Sequence, residues 1–139
     1  MSALQTNKIA VDPDLIYIGN VSIEAGKMAI NYFFEKEKKP DAAFAAEGFT
    51  ALGALKELKD RSIKIRDEFG LIGFANELFG EHISATIDQQ TVLMGKESFK
   101  LLLNVISNGN KEVHPQKIIL DPVPVFRQSS LRYNNINMD

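Results

Sequence analysis

The chain has 139 residues, which is enough for one domain and too few for two ordinary ones. Apolar residues make up 45% of it, as is usual for a soluble globular protein. The net charge of -2 does not indicate a protein that binds nucleic acid or a membrane surface. The absence of cysteine excludes disulfides and thiol catalysis. No signal pattern opens the sequence, and no stretch reaches membrane-spanning length.

The first half of the chain alternates strand-like runs with helical patterns. Residues 15–18 (LIYI) predict a first strand, and a helix follows from an N-cap at Ser22 to a lysine-rich end. Residues 42–46 predict a second strand, whose unbroken apolar run is typical of a strand covered by helices on both faces. Another helical pattern begins almost directly after it.

The second half continues the alternation. Residues 69–74 predict a third strand, 84–88 a weak fourth, and 117–126 an extended segment whose two prolines favour a sheet edge or a crossover. Between them, the clearest helix spans 91–108, with one apolar stripe formed by Val92, Gly95, Phe99, Leu102, Leu103 and Ile106. Strands and helices alternating at short spacing predict an α/β fold, a doubly wound and mainly parallel sheet of about five strands flanked by helices.

No catalytic constellation is found in the sequence. Nucleophile-elbow, P-loop and Gly-x-Gly-x-x-Gly patterns are absent, and the acidic residues are scattered. Neither His82 nor His114 has a second ligand at metal spacing, and a lone histidine such as His82 is more often a surface residue than a base. We therefore predict no enzyme, no catalytic residue, no metal and no cofactor.

Polar side chains follow the predicted strands at their carboxyl ends, where ligands bind in open α/β sheets. Glu47 follows the second strand, Ala75 and Asn76 the third, and Asp88 and Gln89 lie at the end of the fourth. Carboxylate and amide groups suit the hydroxyls of a small polar ligand. The alternative is that these side chains cap helices and loops, and their spacing does not choose between the two interpretations.

Several segments together resemble the C-terminal half of the lactose-repressor family of bacterial transcription regulators, from about residue 11 to 130. The most specific are Ala51-Leu52-Gly53-Ala54-Leu55, Ile72-Gly73-Phe74, Gln89 with Met94-Gly95, and Arg127-x-Ser129-Ser130. The resemblance implies that residues 1–132 form the C-terminal lobe of a periplasmic-binding-protein-like type I effector domain, with residues 133–139 a disordered tail. It also implies that the N-terminal lobe and the DNA-binding helix-turn-helix are absent.

The family's ligand contacts carry over only in part. Glu47 stands where an Asn commonly faces the ligand, and Ala75 replaces an Asp that often accepts sugar hydroxyls. The resemblance implies an effector site of Glu47, Ala75, Asn76 and Gln89 for a small polar molecule, a sugar or sugar derivative. The charge of Glu47 favours a neutral or amine-bearing ligand. Since Gly48 replaces a capping Asp, Thr50 is left as a candidate cap of the following helix.

The leading interpretation is the effector-binding and dimerising part of a cytoplasmic transcriptional regulator. It would control DNA binding allosterically, with operator DNA contacted only through the absent N-terminal domain and no membrane involved. A lobe of a periplasmic-type sugar-binding protein of a transport system stays open as the alternative, whereas a flavodoxin-like enzyme domain is disfavoured. The expected homodimer contacts are Leu52, Leu55, Leu78 and Phe79. The alternative is that Leu52 and Leu55 belong to the core of their own chain and that Leu78 and Phe79 tuck under their own loop.

Overall fold

Strands and helices alternate along the part of the chain that the computed structural model describes, which is residues 2–65, 67–75, 82–108 and 116–127. In chain order the elements are α1 (Ser2–Thr6), a 3₁₀ turn (Pro13–Leu15), α2 (Ile23–Phe34), β1 (Ala42–Ala45), α3 (Gly48–Asp60), β2 (Gly70–Phe74), β3 (Ala85–Asp88), α4 (Thr91–Asn108) and β4 (Val123–Phe126).

The four strands form one mixed sheet in the order β1-β2-β3-β4. The first three run parallel, and β4 pairs antiparallel with β3 at the far edge. Together with its flanking helices, this mainly parallel sheet confirms the predicted fold class. The edge position of the proline-containing strand β4 is confirmed too, because a proline cannot donate to a second neighbour.

The predicted strand at residues 15–18 is wrong. The 3₁₀ turn ends at Leu15, and the residues after it belong to no strand of the sheet. A strand forms only where a neighbour satisfies its backbone N–H and C=O groups, and β1, at the near edge, does not pair with this segment. The sheet of the described residues therefore has four strands and not five.

Helices α2 and α3 lie against each other through a pair of glycines. A Cβ atom on Gly26 would lie 2.1 Å from the carbonyl oxygen of Thr50. A Cβ atom on Gly53 would lie 1.9 Å from the carbonyl oxygen of Ile23. These distances are far shorter than any van der Waals contact, so the backbones of the two helices meet where neither carries a side chain.

The core lies between these helices and one face of the sheet. Its buried members are Ile30, Ala54, Leu55, Leu58, Phe69, Leu71 and Ile83. Leu55 is only 2% exposed, and the half-buried Leu52 packs against the same cluster. Both leucines therefore contact the core of their own chain, and their part in a homodimer stays a prediction. The other expected dimer contacts, Leu78 and Phe79, lie outside the described residues.

The opposite face of the sheet and helix α4 expose apolar side chains. Phe44 alternates with the core-facing Ala43 and Ala45 along β1, and its side chain is 59% exposed. This exposure contradicts the expected cover on both faces of that strand. Helix α4 has the predicted bounds, yet none of its residues is buried, and Phe99 is 60% exposed. Local sequence therefore predicts the length of α4. Among the described residues, however, no element covers its apolar stripe.

Candidate functional site

The parallel strands bring three of the four predicted effector contacts to one edge of the sheet. Glu47 comes shortly after β1, Ala75 directly after β2, and Gln89 directly after β3. Since β1, β2 and β3 are parallel neighbours, all three residues follow carboxyl ends at the same edge. Asn76, the fourth, lies outside the described residues.

Glu47 is the N-cap of α3. Its Oε2 atom accepts hydrogen bonds from the backbone N–H groups of Phe49, at 2.7 Å, and Thr50, at 3.2 Å. A carboxylate is well suited to this position, because the first N–H groups of a helix are unpaired and carry the positive end of its dipole. Glu47, and not Thr50, is thus the cap. Within the described residues its Oε1 atom accepts no hydrogen bond, so it is available to a ligand.

Ala75 ends β2 in a left-handed conformation. Its φ is 92°, and its N–H donates to the carbonyl oxygen of Ile87 at 3.0 Å. An L-residue rarely adopts this conformation, so the surrounding structure holds it against local strain. The methyl group of Ala75 shapes the edge of the sheet but offers no polar group to a ligand.

A polar cavity of about 520 Å³ lies at the carboxyl ends of β2 and β3. It is lined by Ala75, by residues 88–93 and by Lys96. Asp88 Oδ1 accepts a hydrogen bond from the N–H of Gln90 at 2.7 Å, and Gln90 Nε2 donates to the carbonyl oxygen of Asp121 at 2.6 Å. We refer to this cavity as the polar pocket.

Sequence reasoning placed Asp88 and Gln89 at this edge but did not name Gln90 or Lys96 as site residues. Gln90 follows Gln89 directly, and Lys96 lies on α4. The continuous polar stretch Asp88-Gln89-Gln90-Thr91 between strand and helix is the signal that could have found Gln90. Lys96 carries no such signal, because an exposed lysine on a helix is ordinary.

Glu47 lines a different cavity. An apolar groove of about 360 Å³ runs beside β1, and its lining includes Glu47 and Thr50 together with residues 43–46. The predicted contacts thus share an edge of the sheet but divide between two hollows: Glu47 borders the apolar groove, whereas Ala75 and Gln89 border the polar pocket.

Searches for a metal cluster and for a membrane-spanning helix found neither in the part of the chain that the structure describes. It contains no group of three or more His, Cys, Asp or Glu side chains placed to hold a metal ion. None of its helices combines the length and the apolar character needed to cross a membrane.

Comparison with curated proteins gives a family and named relatives. The model of the periplasmic binding protein-like domain matches residues 3–130. The chain is 30% identical over 122 residues to the HTH-type transcriptional repressor PurR of Vibrio atlanticus, covering 82% of this chain and 36% of that protein. It is 25% identical over 133 residues to the HTH-type transcriptional regulator RegA of Clostridium saccharobutylicum, covering 93% of this chain and 39% of that protein. The chain therefore spans well under half the length of these relatives.

Solved structures show the same architecture. The complex of the transcriptional regulator CelR with cellobiose superposes with a TM-score of 0.77 at 25% identity, covering 92% of this chain and 39% of that one. The transcription regulator CcpA of Lactococcus lactis has a TM-score of 0.77 at 23% identity, covering 94% of this chain and 48% of that one.

Proposed function

The chain belongs to the periplasmic binding protein-like domains of lactose-repressor-type regulators, and from that membership we propose that it is the effector-binding lobe of a bacterial transcriptional regulator. The observation that carries this proposal is the polar pocket, because it lies at the carboxyl ends of parallel strands, where open α/β sheets bind ligands. The relatives named above are regulators and not transport components, so the transport alternative is not pursued. Operator binding is assigned to polypeptide beyond these 139 residues.

The proposed effector is a small molecule rich in hydroxyl groups, such as a sugar. Asp88 and Gln89 supply carboxylate and amide groups in the pocket, and the free Oε1 of Glu47 lies farther along the same edge. Lys96 is the cation among the residues that line the pocket, against two carboxylates along the edge. This balance favours a neutral or amine-bearing effector over a phosphorylated one. The cellobiose bound by the related CelR supports the choice of a sugar.

The effector would act by favouring one arrangement of the regulator over another. A ligand can shift such an equilibrium only by its difference in affinity for the two states, typically about 1–3 kcal/mol. The ligand would lie between this lobe and a second one, so that its binding holds the lobes in one relative position and changes how the DNA-binding heads are presented. We place this regulator in the cytoplasm, as a homodimer.

Calorimetry of the parent regulator tests the proposal. The panel contains cellobiose, neutral and amino sugars, and a phosphosugar, each titrated into the native protein, Gln89→Ala and Gln116→Ala. Gln116 is an exposed glutamine outside the pocket, so its substitution is the matched control. We expect Gln89→Ala to weaken binding about tenfold and the control to leave it unchanged. Equal affinities in all three proteins would remove the pocket from the effector site, and tight phosphosugar binding would contradict the charge argument.

A further inference from the structure

The turn between β3 and α4 lies where the β3–β4 ladder would have its next hydrogen-bonded pair. In an antiparallel ladder such pairs recur at every second residue. The carbonyl oxygen of Ile87 accepts a hydrogen bond from the end of β2, so the backbone groups of the next residue, Asp88, face β4, where Val123 lies opposite. The same register, extended by two residues, places Gln90 opposite Asp121.

The backbone of Gln90 does not make that pair. Its φ is 56°, a left-handed conformation that an L-residue rarely adopts, and its N–H turns back to donate to Asp88 Oδ1 at 2.7 Å. The side chain makes the missing bond instead, because Gln90 Nε2 donates to the carbonyl oxygen of Asp121 at 2.6 Å. At this end of the ladder, a side-chain amide therefore takes the place of a backbone N–H.

Gln90 is bonded to both sides of the polar pocket. On the side of the sheet, its N–H holds Asp88 Oδ1, whereas Asp88 Oδ2 accepts no hydrogen bond within the described residues and is open to an effector. On the side of the helix, its carbonyl oxygen accepts a hydrogen bond from the N–H of Met94 at 2.9 Å, in the first turn of α4. That turn lines the pocket with residues 91–93. The conformation of Gln90 thus determines how the two sides meet.

The residue type at this position points to the side chain. Glycine adopts a positive φ without steric penalty, yet the position holds a glutamine whose amide is bonded. Strained residues of this kind persist only where the surrounding structure holds them, and they cluster at binding sites. Ala75, whose φ is 92°, lines the same pocket. Backbone strain is therefore present on both strands that end at the pocket.

We propose that Gln90 is a positioning residue of the effector site. Its amide holds Asp121 and so keeps the turn in the conformation in which Asp88 offers one carboxylate oxygen to the pocket and α4 begins at the far side. The oxygen left open is an acceptor, so the arrangement favours an effector that donates a hydrogen bond there, through a hydroxyl or an amine. The inference rests on the proposed function in one respect, namely that the polar pocket binds the effector.

Hydrogen exchange in the 139-residue chain tests the positioning role without an effector. Gln90→Met keeps an unbranched side chain but removes the donor. We expect the protection of the backbone N–H of residue 90 to fall roughly tenfold, because the turn that holds it on Asp88 loses its bond to Asp121. Gln116→Met, at an exposed position outside the pocket, is the control, and the buried Leu55 is the internal reference. Equal protection at residue 90 in the native chain and both variants would overturn the proposal.

Calorimetry of the parent regulator with cellobiose separates positioning from stability. Gln90→Gly also lacks the amide but adopts the positive φ freely, so its urea midpoint should lie above that of Gln90→Met. We nevertheless expect both variants to bind cellobiose about tenfold more weakly than the native regulator. Weak binding by Gln90→Met with native affinity in Gln90→Gly would assign the effect to backbone strain and refute the role of the amide. A native regulator that binds no sugar would refute the sugar assignment alone, and the exchange measurement would then decide the role of Gln90.

Discussion

Glu47 shows how one side chain can serve the fold and still face the ligand edge. Its Oε2 caps α3 through two backbone N–H groups, while its Oε1 accepts no hydrogen bond within the described residues. We expect Glu47→Ala to lower the free energy of unfolding by about 1 kcal/mol, because two helix N–H groups lose their partner. Glu47→Asp should retain most of that stability, since Asp is itself a favourable N-cap. Urea unfolding of the three proteins measures both effects.

The matched control for this prediction is Glu57→Ala on the same helix. Glu57 Oε1 accepts a hydrogen bond from Arg61 Nε at 2.9 Å, one turn farther along. Such a pair at i,i+4 stabilises a helix by only about 0.2–0.5 kcal/mol. Equal free energies of unfolding for Glu47→Ala and Glu57→Ala would mean that the two capping hydrogen bonds stabilise the chain no more than the Glu57–Arg61 pair does. That result would contradict the prediction for Glu47.

At the scale of elements, the contact between α2 and α3 depends on glycine, whereas the conformation of α4 does not. Alanine at Gly26 or Gly53 would place Cβ about 2 Å from a carbonyl oxygen of the other helix. We expect each substitution to destabilise the chain by about 1–3 kcal/mol, because the two backbones must separate. Gly95→Ala on α4 should instead stabilise it by up to about 1 kcal/mol, since alanine is the better helix former and nothing lies within 4 Å of the new methyl group.

Thermal or urea unfolding of the three single variants and of Gly26→Ala/Gly53→Ala checks this contrast. The double variant should cost less than the sum of the two single ones, because separating the helices once accommodates both methyl groups. Unfolding is followed at a concentration low enough to keep the chain monomeric, because Gly95 belongs to the apolar stripe of α4. Destabilisation by Gly95→Ala of the same size as by the others would then contradict the prediction.

The elements that could be predicted from sequence are those whose signals are local. Ser22 caps α2 as expected, accepting a hydrogen bond from the N–H of Ala25 at 3.1 Å, and α4 runs from Thr91 to Asn108 as its periodicity indicates. The strand predicted at residues 15–18 was wrong because a strand needs a neighbour, and propensity cannot supply one. The stripe of α4 could be predicted as a helix face, but spacing does not show what covers it.

The candidate site could likewise be predicted only in part. The parallel direction of the strands follows from the alternation of elements, so the edge that collects Glu47, Ala75 and Gln89 could be foreseen. Their division between a polar pocket and an apolar groove could not, because it depends on where residues 15–21 lie in space. The capping role of Glu47 was left as one of two open interpretations, because glutamate is not among the commonest N-cap residues, and only geometry shows its carboxylate turned towards α3.

For the whole molecule, charge predicts that this chain alone does not bind operator DNA. Its net charge is -2, from 16 basic and 18 acidic residues. Specific DNA binding relies on several Lys and Arg contacts to phosphates, each of which releases a counterion. Fluorescence anisotropy with operator DNA at moderate salt should therefore show no specific binding by the 139-residue chain, with the parent regulator as the positive control. Tight binding by the chain that persists against nonspecific competitor DNA would contradict this expectation.

The surface of the molecule predicts that isolated chains associate. The apolar stripe of α4 is exposed: the exposed fractions of Val92, Phe99 and Ile106 are 73%, 60% and 65%. These residues recur at the spacing of a coiled-coil seam, so pairing of two copies of α4 would cover them.

Sedimentation velocity over a range of concentrations tests this association. We expect the mean mass to rise above 15.5 kDa as concentration increases, because each α4 pair removes apolar surface from water. Phe99→Glu should restore the monomer, since it places a charge in the middle of the seam. Ser98→Glu adds the same charge to the neighbouring exposed position outside the seam and should leave the association intact. A monomer at every concentration would rule out the association, and equal effects of the two variants would place the contact elsewhere on the molecule.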